Sequence, residues 1–382
     1  MMLLAIIGML MMLLALFYAL IILGALSGLS IEKRDQLPPK TDKPFVTVIV
    51  PVRNEEYRVI QCMESLLQQD YLPDRFEVLI SDDFSDDNTL EVVTGFVQNH
   101  PQFHCLIVMA DSDQQSETGK KRAIARAVDV ASGSLILTTD ADTLQTPSWI
   151  SSMVRCYSET GARMILGPVM FSDTPGVFGK MQTLEFLGIM GLTAGFASIG
   201  RPIMCNGANL CYEKQAFIEL GGFDGNEQFA SGDDQFLLWK MKQAFGRHSI
   251  HFTDDPDAIV TTLPEKGLRS FFRQRFRWVS KSRGYRDSTV LVVGAVNYLF
   301  QAMIPAGFLL GFLSPLYLYL AISLFCFKIL VDFPLVYTMS RFFGKRHLLI
   351  WYIPAQLFQI LYVTISGPMA LLVRVRWKGR RV

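Results

Sequence analysis

The alternation of apolar and polar positions separates this chain into two kinds of stretch. Met2–Leu26 is one unbroken apolar block, and further apolar segments fill 289–338 and 348–373. A helix needs roughly 20 mostly apolar residues to cross the hydrocarbon core, so the first block predicts one span. The segment 289–338 predicts two, broken near Ser314 and Pro315. The last segment holds Pro354 and Gly367–Pro368 and predicts either a third span or a re-entrant turn.

Between these blocks the pattern changes. FVTVIVPV (45–52), FEVLISDD (76–83), FHCLIVMA (103–110), SLILTTDAD (134–142), ARMILGPVMF (162–171) and AIVTTLP (258–264) are short, β-branched and nearly continuous in apolar character. Such runs predict strands buried on both faces of a sheet. Helical periodicity falls between them, at Tyr57–Gln69, Asn88–Asn99, Lys120–Ala131 and Pro147–Tyr157. Strands alternating with helices give an open α/β sheet, whose ligands collect beyond the carboxyl ends of the strands. Gly176–Ala197 is a further helix candidate, rich in Met, Phe and Gly, suited to lie on the membrane or under a site.

The chain of 382 residues is half hydrophobic with a net charge of +1, which points to neither a disordered chain nor a nucleic-acid partner. The charges are unevenly placed. Residues 1–28 carry none, and 288–340 carry only Lys328 and Asp332. No basic region precedes the first apolar block, so a retained anchor is expected rather than a secretory signal. Lys33, Arg34, Lys40 and Lys43 follow it, which by the positive-inside rule places the next domain in the cytoplasm, at a cell inner or plasma membrane. Under that orientation a third full C-terminal span carries the basic tail RVRWKGRR outside, against the same rule. The six cysteines form no C-x-x-C pair, and His248 and His251 lack partners at zinc-like spacing, so reduced thiols without a zinc site are expected.

These readings divide the chain into an anchor (1–28), a linker (29–44), a soluble domain (45–265), an amphipathic interface helix (266–287), a membrane region (288–373) and a basic tail (374–382). In the soluble domain, acidic clusters follow three strands: PVRNEE, SDDFSDD and DADT. No G-x-G-x-x-G follows the first strand, which excludes a dinucleotide-binding dehydrogenase. Asp140 and Asp142, one residue apart at a strand end, are hard oxygen ligands suited to Mg²⁺ or Mn²⁺ held jointly with a diphosphate. Asp82 and Asp83 end the second strand, where they suit a base or ribose, whereas Asp86, Asp87 and Asn88 serve as helix caps. Lys120 opens a helix and suits a phosphate, or is one of a solvated lysine run. Asp233 and Asp234 enter another helix, as a general base pair or as its cap.

The motifs VIVPVRNEE, VLISDDFSDDNT, GKKRAIARA, TTDADT, CNGANLCYEKQAF, SGDDQF and QRFRW, in that order, resemble the membrane-embedded family 2 glycosyltransferases. That group includes cellulose, chitin and hyaluronan synthases. The resemblance covers residues 45–285 and implies a GT-A fold, an open mixed sheet with a nucleotide-sugar site. It implies a nucleotide-diphosphate sugar donor, UDP-linked by family majority, and transfer with inversion to a lipid-linked or polysaccharide acceptor. Glu55, Asp82 and Asp83 would line the nucleoside pocket and Lys120 would support the nucleotide. Asp140 and Asp142 would form the D-x-D, with Asp142 the direct metal ligand. Asp234 would be the base, with Asp233 in place of the glutamate usual before it. Gln274 and Arg277 would address the diphosphate and Trp278 would bound the acceptor site. These three share one helix face at i, i+3 and i+4, leaving Arg269, Arg273, Arg275, Lys281, Arg283 and Arg286 to membrane lipid. A non-processive lipid glycosyltransferase similar to ceramide glucosyltransferases fits as an alternative. A catalytically silent sugar-nucleotide-binding subunit is a further one, although D-x-D, base and Q-x-x-R-W are all present.

Overall fold

The computed structural model describes residues 2–29, 43–107, 119–225, 232–372, 376–377 and 380–381. The expected linker, residues 108–110 of the third predicted strand and the basic tail fall wholly or partly outside these. The chain divides into two compact units. One comprises Glu32–Ser172, Gly200–Leu263 and Arg376–Val382; the other comprises Met1–Ile31, Asp173–Ile199 and Pro264–Val375. Helices are numbered along the chain, so α1 (Met2–Leu29) belongs to the second unit.

The first unit is built on β1 (Val46–Val52), β2 (Phe76–Asp82), β3 (Phe103–Ile107) and β4 (Leu135–Thr138), which lie parallel in the order β3-β2-β1-β4. The helices α2 (Val59–Leu67), α3 (Thr89–Val97) and α4 (Lys120–Val130) connect them. Val46, Val48, Val50 and Val52 alternate along β1 and pack with Val59, Met63 and Leu66 of α2 in one core cluster. The other face is closed as well, since Thr47 and Ile49 are fully buried. Continuous apolar runs are what a doubly covered strand requires. Register pairs Val52 with Asp82 and Ile49 with Thr138, so the loops after β1, β2 and β4 leave the same edge.

Beyond β4 the sheet changes direction. After β5 (Leu144–Gln145) and α5 (Trp149–Thr160), the run predicted as one strand at 162–171 splits into β6 (Met164–Leu166) and β7 (Val169–Phe171). The break falls at Gly167–Pro168, where a Cβ on Gly167 would lie 2.1 Å from the Asn209 side chain. That buried amide donates to the carbonyls of Pro168 and Ala258, both at 2.8 Å, and accepts from Trp149 Nε1 at 2.9 Å. The strand β8 (Leu210–Glu213), unforeseen in the sequence, runs antiparallel between β4 and β6. Its few apolar positions are too short a pattern to stand out. Next come α7 (Lys214–Glu219), α8 (Asp233–Phe245), β9 (Ile250–Phe252), which is parallel to β6 and completes seven strands, and β10 (Val260–Thr262). A small second sheet has the order β5-β10-β7.

The second unit is helical: α1, α6 (Val177–Ser198), α9 (Leu268–Ser280), α10 (Ser288–Leu310), α11 (Pro315–Phe342) and α12 (Tyr352–Leu372). Among the described residues, four stretches are long and apolar enough to cross a membrane: Ile7–Leu29, Ser288–Leu310, Pro315–Phe342 and Arg346–Met369. The last forms no broken turn at its prolines, as α12 is one helix with Pro368 inside it. Helix α6 lies within the 45–265 segment of the sequence yet clusters here. It does so because glycines let backbones meet: a Cβ on Gly28 would lie 2.1 Å from the Gly195 carbonyl oxygen, and one on Gly195 would lie 2.1 Å from that of Ala25. Burial along most of α6 explains its largely apolar composition, with Gln182 and Glu185 as buried polar exceptions.

Candidate active site

The loops after β1 and β2 are stitched together by polar bonds. Asn54 takes a positive φ of 52° and its Oδ1 accepts from Asp86 N at 2.8 Å; its own N–H donates to Ser85 Oγ. Glu55 N–H donates to Thr89 Oγ1 at 2.8 Å, and Glu56 accepts from Asn88 N at 3.0 Å. Glu55 is thereby fixed at the sheet edge with its side chain half-buried. The two strand-end acids are more enclosed. Asp82 accepts from both the N–H and the hydroxyl of Ser85, which closes its own turn. Asp83, 2% exposed, accepts from Arg122 at 3.3 Å, while Arg53 donates to its carbonyl at 2.7 Å. Arg53 and Arg122 carried no distinguishing signal in the sequence, where each reads as one member of a charged run.

Asp140 and Asp142 occupy the turn after β4, not its last strand residues, since β4 ends at Thr138. The turn is held from behind. Thr143 Oγ1 donates to the Asp140 carbonyl at 2.6 Å, Gln145 Nε2 donates to the hydroxyls of Thr139 and Thr143, and Cys62 Sγ approaches the same carbonyl at 3.5 Å. Burial, and then the charges of Asp142 and Asp140, push the Cys62 thiol pKa up, so it stays a protonated donor. With its backbone pinned, the turn leaves both carboxylates about one-third exposed, at 36% and 33%.

Those carboxylates meet cations from two helix starts. Lys120, at the first position of α4 after Gly119 (φ 82°), donates to Asp140 Oδ1 at 2.5 Å and lies 3.7 Å from Asp233 Oδ2. Arg58, just before α2, pairs with Asp142 at 3.3 Å. Burial works against the Lys120 charge, but Asp140, Asp233 and Asp234 overcome it and hold its pKa above the ordinary value. The first turn of α8 carries Asp233 and Asp234 after Gly232 (φ 93°). Asp234 Oδ2 accepts from Gly207 N at 3.1 Å and its Oδ1 from Gln235 N at 2.8 Å. Gly207 is a residue the motif reading named without a role. A Cβ there would sit 3.1 Å from Lys120 Nζ and 3.4 Å from both Asp233 Oδ2 and the Asp234 Cβ, so glycine keeps this junction open.

The structure therefore brings together Lys120, Asp140, Asp142, Asp233 and Asp234, and adds Arg58 and Gly207. Among the described residues, four carboxylates and two cations meet in this cluster. Hard oxygen donors suit a divalent cation that takes its remaining ligands from a diphosphate. Among the described residues no group of three or more His, Cys, Asp or Glu is arranged to hold a metal by itself.

Gln274, Arg277 and Trp278 lie on α9, in the helical unit. One assignment on this helix is corrected. Arg275, expected to face lipid, is 3% exposed and pairs with Glu185 of α6. The next turn of the helical pattern puts it on the buried face, where Phe271 also lies.

A parallel sheet extended by an antiparallel strand, with acidic clusters at one edge, is a GT-A-like fold, here in a chain whose end helices are long and apolar enough to cross a membrane. The chain belongs to glycosyl transferase family 21, whose sequence profile matches residues 7–382. An N-acetylglucosaminyltransferase of Bradyrhizobium diazoefficiens is 24% identical over 254 residues, covering 64% of this chain and 50% of that protein. A poly-β-1,6-N-acetyl-D-glucosamine synthase of Staphylococcus epidermidis is 24% identical over 237 residues, covering 61% of this chain and 53% of the relative. The matched region is thus about half the length of these curated relatives. Both are family 2 glycosyltransferases, the group the motif order resembles. Among solved structures, the mannosyltransferase PcManGT from Pyrobaculum calidifontis, in complex with GDP-Man and Mn²⁺, shares the fold with a TM-score of 0.56 at 18% identity. That match covers 94% of this chain and 99% of the neighbour.

Proposed function

We propose that the protein transfers a sugar, with inversion, from a nucleotide-diphosphate sugar to an acceptor in the membrane. The observation that carries this reading is the junction of Lys120, Asp140, Asp233, Asp234 and Gly207 at the carboxyl edge of the sheet. Glu55, Asp82 and Asp83 frame the nucleoside end, with Arg53 and Arg122 holding the Asp83 loop. Lys120 meets the diphosphate. Asp142 and Asp140 would hold Mg²⁺ or Mn²⁺, which would supply positive charge against the leaving diphosphate.

Asp234 is the base. Two backbone N–H groups hold its carboxylate in one orientation, and it removes the proton of an acceptor hydroxyl. The hydroxyl oxygen bonds to the anomeric carbon as the bond to the diphosphate breaks on the opposite face. Nucleoside diphosphate leaves, Asp234 carries the proton, and one displacement inverts the centre without a glycosyl-enzyme. Asp140, and after it Asp233, keep the Lys120 ammonium charged and in place. Gln274 and Arg277 address the diphosphate and Trp278 the acceptor, as the resemblance implies.

A lipid acceptor is the reading favoured here, on the contacts between helices in the helical unit. Tyr18 stacks on Phe300 at 4.1 Å, Gly307 packs on Ala321, and Lys328 is wholly buried in a polar network. Such packing suits one transfer to a membrane lipid better than extrusion of a polymer. The positive charges after α1 support a cytoplasmic catalytic side. Membranes containing the protein, given radiolabelled UDP-N-acetylglucosamine or GDP-mannose, test this directly. Label in organic-extractable lipid supports the reading, and label in high-mass polymer rejects the lipid acceptor.

A further inference from the structure

The helical unit contains a buried cation inside the Q-x-x-R-W stretch itself. Arg275 follows Gln274 and is 3% exposed, whereas Gln274, Arg277 and Trp278 are each half-buried. Its guanidinium has three sets of partners. It pairs with Glu185 of α6, a carboxylate that also accepts from the Tyr362 hydroxyl of α12 at 2.5 Å. It donates to Gln274 Oε1 at 2.5 Å. It lies over the Trp278 ring, 4.2 Å from the centroid, and over Phe271 at 4.3 Å.

These contacts set the side chains on either side of it. With Oε1 turned to Arg275, the Gln274 amide presents its Nε2 donors on the other side, the polarity that meets a phosphate oxygen. A cation on one face of the indole fixes the Trp278 ring plane. The Glu185 and Tyr362 bonds tie that arrangement to two other helices, so neither rotamer depends on α9 alone. Only a planar fork reaches Glu185 and Gln274 together while stacking on Trp278; a lysine offers one point charge.

We propose that Arg275 is a positioning residue for the transfer reaction, acting through Gln274 and Trp278 and anchored by Glu185 and Tyr362. This rests on the reading that Gln274 and Trp278 address donor and acceptor. Arg275 itself touches no substrate.

Two variants separate positioning from simple stabilisation. Arg275→Lys keeps a cation beside Glu185 but loses the fork and the stack. The triple variant Glu185→Leu/Arg275→Met/Tyr362→Phe replaces the cluster with apolar groups of similar volume, an exchange often neutral or stabilising. Both are expected to melt within a few degrees of the parent protein in detergent. Their kcat should nevertheless fall, by about 10²-fold in the triple variant, with donor KM changed less. Gln274→Ala and Trp278→Ala, measured alongside, test the underlying reading. If those two lose activity while either cluster variant transfers within about threefold of the parent, the positioning role is overturned. It is also overturned if loss of transfer follows loss of melting temperature in both variants. If Gln274→Ala and Trp278→Ala retain full activity, the Q-x-x-R-W reading itself fails.

Discussion

The two units each hold a short lysine–aspartate pair, and the pairs differ in everything around them. Lys120 and Asp140 meet at 2.5 Å at a helix start, 19% and 36% exposed, beside further carboxylates. Lys328 and Asp332 meet at 2.7 Å one turn apart on α11, 0% and 9% exposed. Lys328 also donates to Gln356 and Gln359 of α12, and Asp332 accepts from Tyr18 of α1 at 2.7 Å. All three ammonium donors are used there, each on a neutral or singly charged partner. The first pair is partly exposed among further carboxylates at the sheet edge; the second is closed within the protein and joins three helices. An ion pair open at a sheet edge beside further carboxylates suits a site, whereas one enclosed with all its donors used acts as a clamp.

Breaking the open cluster should cost activity before stability. Asp234→Asn is expected to lower turnover by about 10²–10⁴-fold, with nucleotide binding and melting temperature unchanged. Steady-state rates beside a donor-binding titration check this, and retained turnover excludes Asp234 as base. Breaking the closed pair should do the reverse. Lys328→Met leaves Asp332 buried without its cation and is expected to cost about 3–5 kcal/mol, seen as an earlier melt in detergent. Adding Asp332→Leu should recover most of that loss, and failure to recover would show the pair to be more than a clamp.

A smaller effect separates the two carboxylates of the D-x-D. Asp142→Ala should weaken metal-dependent donor binding by about tenfold, or about 1.4 kcal/mol, and chelation should abolish the difference from the parent. Unchanged affinity with metal present would sink that assignment. The smallest effect lies outside both clusters. Asp87 accepts from the hydroxyl and the N–H of Thr89, and these bonds, against a burial cost, hold its carboxyl below the ordinary range. Its contribution is therefore present above pH about 4 and fades as pH falls through its lower folded value. Melting curves of Asp87→Ala and parent should converge at low pH.

Much of the first cluster was legible beforehand. Asp140, Asp142, Lys120, Asp233 and Asp234 all sit where a strand ends or a helix begins, and that position is visible in hydrophobic periodicity. Arg58 and Gly207 were not, because each is brought into place by a neighbour distant in sequence: Asp142 for the first, Lys120 and Asp234 for the second. Arg275 was misread for a related reason. Its helix is basic around most of its circumference, and only the arrival of Glu185 from α6 marks one of those arginines as buried.

Local chemistry along the chain was enough to determine the parallel strands, the apolar spans, the acidic sheet edge and the family, since each follows from the period of a short stretch or from motif order. Tertiary structure decided the rest. It split 162–171 around the Asn209 amide, inserted β8 against the direction of its neighbours, drew α6 into the helical unit through Gly195, and turned Asp83 inward to Arg122. Those outcomes depend on pairs of residues far apart in the chain, and a hydrogen bond or a close backbone approach between such pairs leaves no periodicity in either segment.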